Sequence, residues 1–269
     1  MKKIVFSDVD RTLAINGVIS DKTKDSIKRY VNLNNLFVLV SGRVIPYTVD
    51  LSKKIKASGY VICTNGGIVY DYLNDKIIYK KTISFDVTKR LFNISNLYGA
   101  RLFFGGLKTV YTNKLKDEEK ETEINELSKD IYDNNPVTQI TISHENKEII
   151  NKIIKEVEKI DGIKIVNRHR SLYDDTYNVN GNIWIDIAPA SVNKGIAVLK
   201  LLEYLNIKLD DSVRIGDDLN DLPMFFDKGV NIAVANAIPK LKEQSDFISK
   251  SCEEDGVSYA LEKIINEEL

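Results

Sequence analysis

The sequence predicts an α/β fold: a Rossmann-like parallel sheet with helices on both faces, plus an inserted α+β domain. Three observations carry this. Short β-branched runs alternate with amphipathic helical stretches over residues 3–67 and again after Pro189, the pattern of parallel strands joined by helical crossovers. Those runs end in polar residues (Asp8, Ser41, Thr64, Asp217), as expected at the ligand-binding edge of such a sheet. Between them, over about 84–187, strand-like runs follow one another without a helix, which predicts a partly antiparallel unit. The expected division is therefore 1–83 and 188–269 for the α/β core and 84–187 for the insert.

The elements follow in order. Ile4-Val5-Phe6 is a short apolar strand that ends at Asp8-Val9-Asp10-Arg11-Thr12. Asp21–Asn34 has the apolar spacing of a helix, through Ile27, Tyr30, Val31 and Leu33. Leu36–Val40 is apolar throughout, the mark of a parallel strand buried on both faces, and ends at Ser41-Gly42-Arg43. A helix over Ile45–Ala57 carries Pro46 in its first turn, where a missing N–H costs little. Tyr60–Cys63 is a third strand, closed by Thr64-Asn65-Gly66-Gly67. Ile68–Tyr70 and Lys76–Tyr79 flank the turn Leu73-Asn74-Asp75 and predict a hairpin. In the insert, helices are expected at Asp86–Leu97, Asp117–Asp130 and Glu145–Ile160. Strands are expected at Arg101–Gly105, Thr109–Thr112, Thr138–Ser143, Ile163–Asn167 and Asn182–Ile187. Ser191–Leu205 is a strongly patterned helix with Lys194 in its first turn. Asp211–Ile215, Asn231–Ala235 and Asp246–Ile248 read as strands, and a helix over Gly256–Ile265 closes the chain.

Composition narrows the function. The chain has 269 residues, 43% of them hydrophobic, and its charges balance to a net −1. That is an ordinary globular composition, with no basic stripe for nucleic acid and no acidic tail. The apolar run after Met1-Lys2-Lys3 is too short for a secretion signal, and no segment is long enough to span a bilayer. The expectation is a cytoplasmic protein, free of membrane and nucleic acid, with Cys63 and Cys252 as reduced structural thiols. With only His144 and His169, a histidine metal site is nearly excluded.

What remains is a set of acids, hydroxyls and one lysine at strand and helix ends. Asp8-x-Asp10-x-Thr12 lies at one strand end, Gly216-Asp217-Asp218-Leu219-Asn220-Asp221 at another, with Lys194 between them in sequence and Ser41 at a neighbouring strand end. Phosphoryl transfer asks for such groups. Carboxylates are hard ligands for Mg²⁺. An aspartate can attack phosphorus. A lysine and hydroxyls neutralise and orient the non-bridging oxygens. A second carboxyl protonates the leaving alcohol.

Taken together, Asp8–Thr12, Ser41-Gly42-Arg43, Lys194-Gly195 and Gly216–Asp221 resemble the motifs of the haloacid dehalogenase superfamily. More narrowly the chain is similar to its Cof-like phosphatases, with a large α+β cap inserted after the third core strand. The resemblance implies a Mg²⁺-dependent phosphatase of small phosphorylated metabolites such as sugar phosphates, acting through an aspartyl-phosphate. Asp8 is then nucleophile and metal ligand. Asp10 is general acid and base, its backbone carbonyl on the metal. Asp217 is the other metal carboxylate, and Asp221 stands behind them, on a metal-bound water or on Lys194. Thr12 helps hold Asp10 and belongs with Ser41, Gly42, Arg43, Lys194 and Asn220 in the phosphate-binding set. Two alternatives share these residues: a phosphomutase of hexose phosphates and a phosphoacceptor signalling module without turnover. The partner implied is a small-molecule phosphate ester, and the assembly a monomer or homodimer. Arg11 departs from the family pattern, which most often has Gly there. Arg168-His169-Arg170 and Trp184 are the features of the insert that could read a substrate, with a solvated charge run and a core aromatic as the plainer explanations.

Overall fold

The computed structural model describes residues 3–105, 109–115, 121–135, 137–168 and 182–269. The chain divides into two compact units. Unit 1 comprises Met1–Arg43, Tyr47–Tyr79 and Asn193–Leu269, and unit 2 comprises Val44–Pro46 and Lys80–Val192.

In unit 1 the strands are β1 (Ile4–Ser7), β2 (Leu36–Val40), β3 (Tyr60–Cys63), β4 (Ile68–Asp71) and β5 (Lys76–Lys80) before the insert. The helices α1 (Asp21–Asn32) and α2 (Ile45–Lys54) cross between the first three. The insert contributes β6 (Arg101–Gly105), β7 (Val110–Thr112), β8 (Thr122–Glu123), β9 (Ile140–His144), β10 (Ile163–Arg168) and β11 (Ile183–Pro189). Its helices are α3 (Phe85–Leu97), α4 (Lys129–Asn134) and α5 (Lys147–Val157). Unit 1 resumes with α6 (Lys194–Leu205), β12 (Ser212–Gly216), β13 (Val230–Ala233), α7 (Pro239–Glu243), β14 (Phe247–Ile248) and α8 (Gly256–Ile265).

The sheet of unit 1 runs β14-β13-β12-β1-β2-β3-β4-β5, and its strands pair in parallel from β14 through β3. β4 turns back antiparallel to β3. Because side chains alternate across a strand, each central strand feeds two cores. Val5, Phe37 and Leu39 join Ile27 and Tyr30 of α1 and Val257 and Leu261 of α8 on one face. Ile4, Phe6, Val38 and Val40 join Ala197, Val198, Leu201 and Leu202 of α6 on the other. Helices on both faces leave the strand ends as the open edge, and β1, β2, β3 and β12 all point the same way.

Unit 2 is a six-stranded sheet among the described residues, ordered β10-β11-β9-β6-β7-β8. Leu102, Phe104, Ile140, Ile142, Ile185 and Ile187 pack with α3 and α5 in its own core. The alternate positions put Arg101, Phe103, Ser143, Trp184 and Asp186 on the opposite face, where Phe103 and Trp184 stack at 5.6 Å.

Two expectations are corrected. The helix expected at Asp117–Asp130 is not formed over 121–128: Thr122–Glu123 pairs with β7, and helix begins only at Lys129, capped by the Ser128 hydroxyl, which accepts from Ile131 N. Residues 116–120 lie outside the described residues, and so do His169 and Arg170. The insert also reaches beyond 84–187. Ile83 N–H donates to the Val137 carbonyl and Tyr132 Oη to the Ile83 carbonyl, while β11 runs on to Pro189.

Candidate active site

Asp8 leaves β1 with its N–H bonded to the Ile215 carbonyl, so the neighbouring strand holds the residue where the sheet ends. After it the chain folds back tightly, Leu13 and Ala14 N–H both donating to the Val9 carbonyl. Arg11 sits in this turn with φ 67°, a left-handed backbone that suits glycine and costs other residues about 1 kcal/mol. Glycine would take this conformation without strain, and Arg11 holds the turn without it.

Lys194 opens α6, whose N-cap Asn193 accepts from Ile196 N at 2.8 Å. The next position must be glycine, because a Cβ on Gly195 would lie 1.9 Å from the Pro223 carbonyl. That close approach carries the Lys194 side chain into the interior, fully buried. Its Nζ donates to Asp8 Oδ1 at 2.5 Å and to Asp221 Oδ1 at 2.6 Å. Asp221 spends its other oxygen on the backbone N–H groups of Asp217 and Asp218, at 2.9 and 3.0 Å. Asp217 follows β12 and accepts from Thr12 Oγ1 at 3.1 Å.

The charge count of this cluster is unbalanced. Asp8, Asp217 and Asp221 bring carboxylate oxygens within 4.8 Å of one another, all three buried, around one ammonium. Burial, opposed by Lys194 and reinforced by Asp221 and Asp217, raises the Asp8 carboxyl well above the usual range. Burial and the Asp221 and Asp218 charges push Asp217 up to about 7. Burial works against the Lys194 charge, but Asp221 and Asp8 outweigh it and hold the ammonium above its ordinary value. The lysine therefore stays cationic, and the acids share a surplus of negative charge. Since both Asp221 oxygens are engaged, Asp8 and Asp217 are the pair with an oxygen to offer a divalent cation. A hard, all-oxygen donor set with excess negative charge fits Mg²⁺.

The remaining candidates are placed as follows. Asp10 is exposed and stands apart from the buried acids. Its carboxylate is gripped by Arg43, from Nε at 2.9 Å and Nη2 at 2.5 Å. Arg43 thus faces an acid, whereas the resemblance implies a phosphate. Ser41 is buried at the end of β2, its Oγ accepting from Arg43 N at 3.1 Å, with Gly42 between them. Thr12 holds Asp217, whereas the resemblance implies that it holds Asp10 and sits with the phosphate ligands. Asn220 donates from Nδ2 to Asn65 Oδ1 at 3.1 Å. Two further asparagines also belong to this edge: Asn65, which the sequence offers as pocket lining or plain turn, and Asn236, to which the sequence gives no role. Asn65 is buried beside Gly42. Asn236 donates to the Arg11 carbonyl at 2.8 Å and accepts from Cys252 N at 2.8 Å, tying the turn after β1 to the loop before α8. Asn65 carried a signal, an Asn-Gly step at a strand end, that reads equally as a plain turn.

A family model described as haloacid dehalogenase-like hydrolase matches residues 5–261. Among curated relatives, two Bacillus subtilis proteins named 5-amino-6-(5-phospho-D-ribitylamino)uracil phosphatase are similar along nearly their whole length. YwtE is 29% identical, covering 98% of each chain. YcsE is 23% identical, covering 96% of this chain and 94% of its own. A crystal structure of a haloacid dehalogenase-like hydrolase from Bacteroides thetaiotaomicron superposes with a TM-score of 0.82 at 21% identity, over 98% of this chain and 100% of that one.

Proposed function

The chain belongs to the haloacid dehalogenase-like hydrolase family, and from that premise we propose that it is a Mg²⁺-dependent phosphatase of small phosphorylated metabolites, sugar phosphates or similar. The observation that carries the proposal is the buried Lys194 ammonium shared between Asp8 and Asp221, with Asp217 alongside. An ammonium held against the nucleophile is also placed to meet the oxygens of a phosphoryl group.

In this reading an Asp8 oxygen attacks phosphorus while the ester P–O bond breaks, giving an aspartyl-phosphate. Asp10 gives its proton to the departing alkoxide, so the alcohol leaves neutral. Water then attacks the same phosphorus. Asp10 takes its proton, and inorganic phosphate leaves as the Asp8 carboxylate re-forms. Asp10 has to leave Arg43 to do this; the pair is partly exposed, with side chains 53% and 33% accessible, so parting it costs on the order of 1 kcal/mol. Asp8 and Asp217 would hold Mg²⁺, with the Asp10 carbonyl as the third protein ligand in the reading, and the ion would supply charge neutralisation at the transferring phosphoryl group. Thr12 keeps Asp217 turned toward that position. Ser41, Gly42 and Asn220 complete the phosphate-binding set.

A panel of phosphate esters assayed with and without Mg²⁺ tests this. Phosphate release that requires Mg²⁺ is expected. Asp8→Asn is expected to lower turnover by about 10³-fold or more. Full turnover in that variant would sink the assignment, and transfer of the phosphoryl group to a second sugar would redirect it to a mutase.

A further inference from the structure

We infer that Asn65 is a positioning residue of this site, the keystone through which the turn Thr64–Gly66 sets three other loops against one another. The inference rests on the reading of those loops as phosphate-binding. Three independent observations converge on it.

The first is backbone conformation. Thr64, Asn65 and Gly66 follow one another with φ 50°, 54° and 95°. A left-handed run is unfavourable, and for a β-branched residue such as Thr64 it is a marked outlier. Such conformations persist where the surroundings over-determine them, and they cluster at functional sites. The second is the side chain. Asn65 is 3% exposed, and its Oδ1 accepts from Asn220 Nδ2 at 3.1 Å. The third is the company the turn keeps. Asn65 N–H donates to the Ser41 carbonyl at 3.0 Å, and Thr64 N–H to the Arg43 carbonyl at 3.0 Å. A Cβ on Gly42 would lie 3.0 Å from Asn65 Nδ2, so the glycine leaves room for that side chain. A Cβ on Gly66 would lie 2.2 Å from the Asn193 carbonyl, so the turn also abuts the start of α6, one residue before Lys194.

Thus one short turn touches the Ser41 loop, the Asn220 amide and the helix that carries Lys194. None of these contacts makes Asn65 a reacting group. They make it the part that fixes the spacing of groups that would surround a phosphoryl oxygen, where small displacements are costly. A plain turn would need neither the buried amide nor the bond to a residue 155 positions away.

Asn65→Gly tests this cleanly, because glycine keeps the left-handed backbone and removes only the side chain. With p-nitrophenyl phosphate as substrate and inorganic phosphate as competitor, the variant is expected to lose about tenfold or more in kcat. Its phosphate affinity should weaken in parallel. Because the Asn65 side chain acts through Asn220, Asn65→Gly with Asn220→Ala should be no worse than Asn220→Ala alone. Hydrogen exchange gives a readout independent of turnover: protection should fall in 41–43 and 217–221 and stay unchanged in β1 and β2. Kinetics and phosphate affinity within about twofold of wild type would overturn the inference. So would losses that multiply in the double variant. Should the wild-type protein hydrolyse no phosphate ester, the phosphatase reading fails, and exchange alone decides Asn65: lost protection upholds its role, unchanged protection ends it.

Discussion

At the scale of single residues, the site is organised by whether each carboxylate has a positive partner within the cluster. Asp221 is satisfied by Lys194 and two backbone N–H groups; Asp217 has one hydroxyl and crowding acids. Arg11 opposes that crowding, since its charge draws the Asp217 carboxyl downward. Its backbone is a separate matter and can be isolated from its charge. Arg11→Ala and Arg11→Gly both delete the guanidinium, but only glycine adopts φ 67° without strain. Arg11→Gly should therefore be the more stable of the two by about 1 kcal/mol in urea denaturation. Equal midpoints and slopes would mean that the turn relaxes to another conformation when the arginine goes.

At the scale of elements, legibility tracked what each element rests on. β1, β2 and β3 were readable because burial on both faces leaves unbroken apolar runs. α6 was readable from its apolar stripe, and Lys194 from its place in the first turn. The run Asp117–Asp130 misled because helix-forming Glu and Lys dominate it, whereas β-pairing at Thr122–Glu123 and a serine cap at Ser128 decide the outcome. Among site residues, Asp8, Lys194 and Asp217 could be named from residue type and position. The partners of Thr12, Arg43 and Asn220 could not, because each bonds across loops 33 to 205 positions apart. Glycines mark where elements press together. Gly195→Ala places a methyl 1.9 Å from the Pro223 carbonyl, so the first turn of α6 must shift away from the following loop. We expect a loss of about 1–3 kcal/mol in stability and of about 10²-fold in kcat/KM, because Lys194 moves with the turn. An unchanged kcat/KM in a destabilised variant would show that Lys194 tolerates the displacement.

At the scale of the whole molecule, the surplus negative charge couples the site to folding of unit 1. Burial and the neighbouring carboxylates hold Asp217 at about 7, so without metal the folded protein keeps a proton that the unfolded chain releases near pH 4. The stability this group contributes is complete below about pH 4 and is lost as pH rises through about 7. A cation bound by ionised Asp8 and Asp217 removes that penalty, and its gain must grow over the same window. In EDTA the melting temperature should fall between pH 5 and 7.5. Mg²⁺ at a hundredfold excess over Kd should add about 2–3 kcal/mol at pH 7.5 and distinctly less at pH 5. Asp217→Asn should flatten the EDTA profile, blunt the Mg²⁺ response and stabilise the metal-free fold at pH 7.5 by about 1–3 kcal/mol. Because unit 2 has its own core, hydrogen exchange should slow on Mg²⁺ addition around β1 and β12 and not in β9 or β11. Equal Mg²⁺ increments at the two pH values, or an Asp217→Asn variant that responds like wild type, would place the cation somewhere other than this pair of carboxylates.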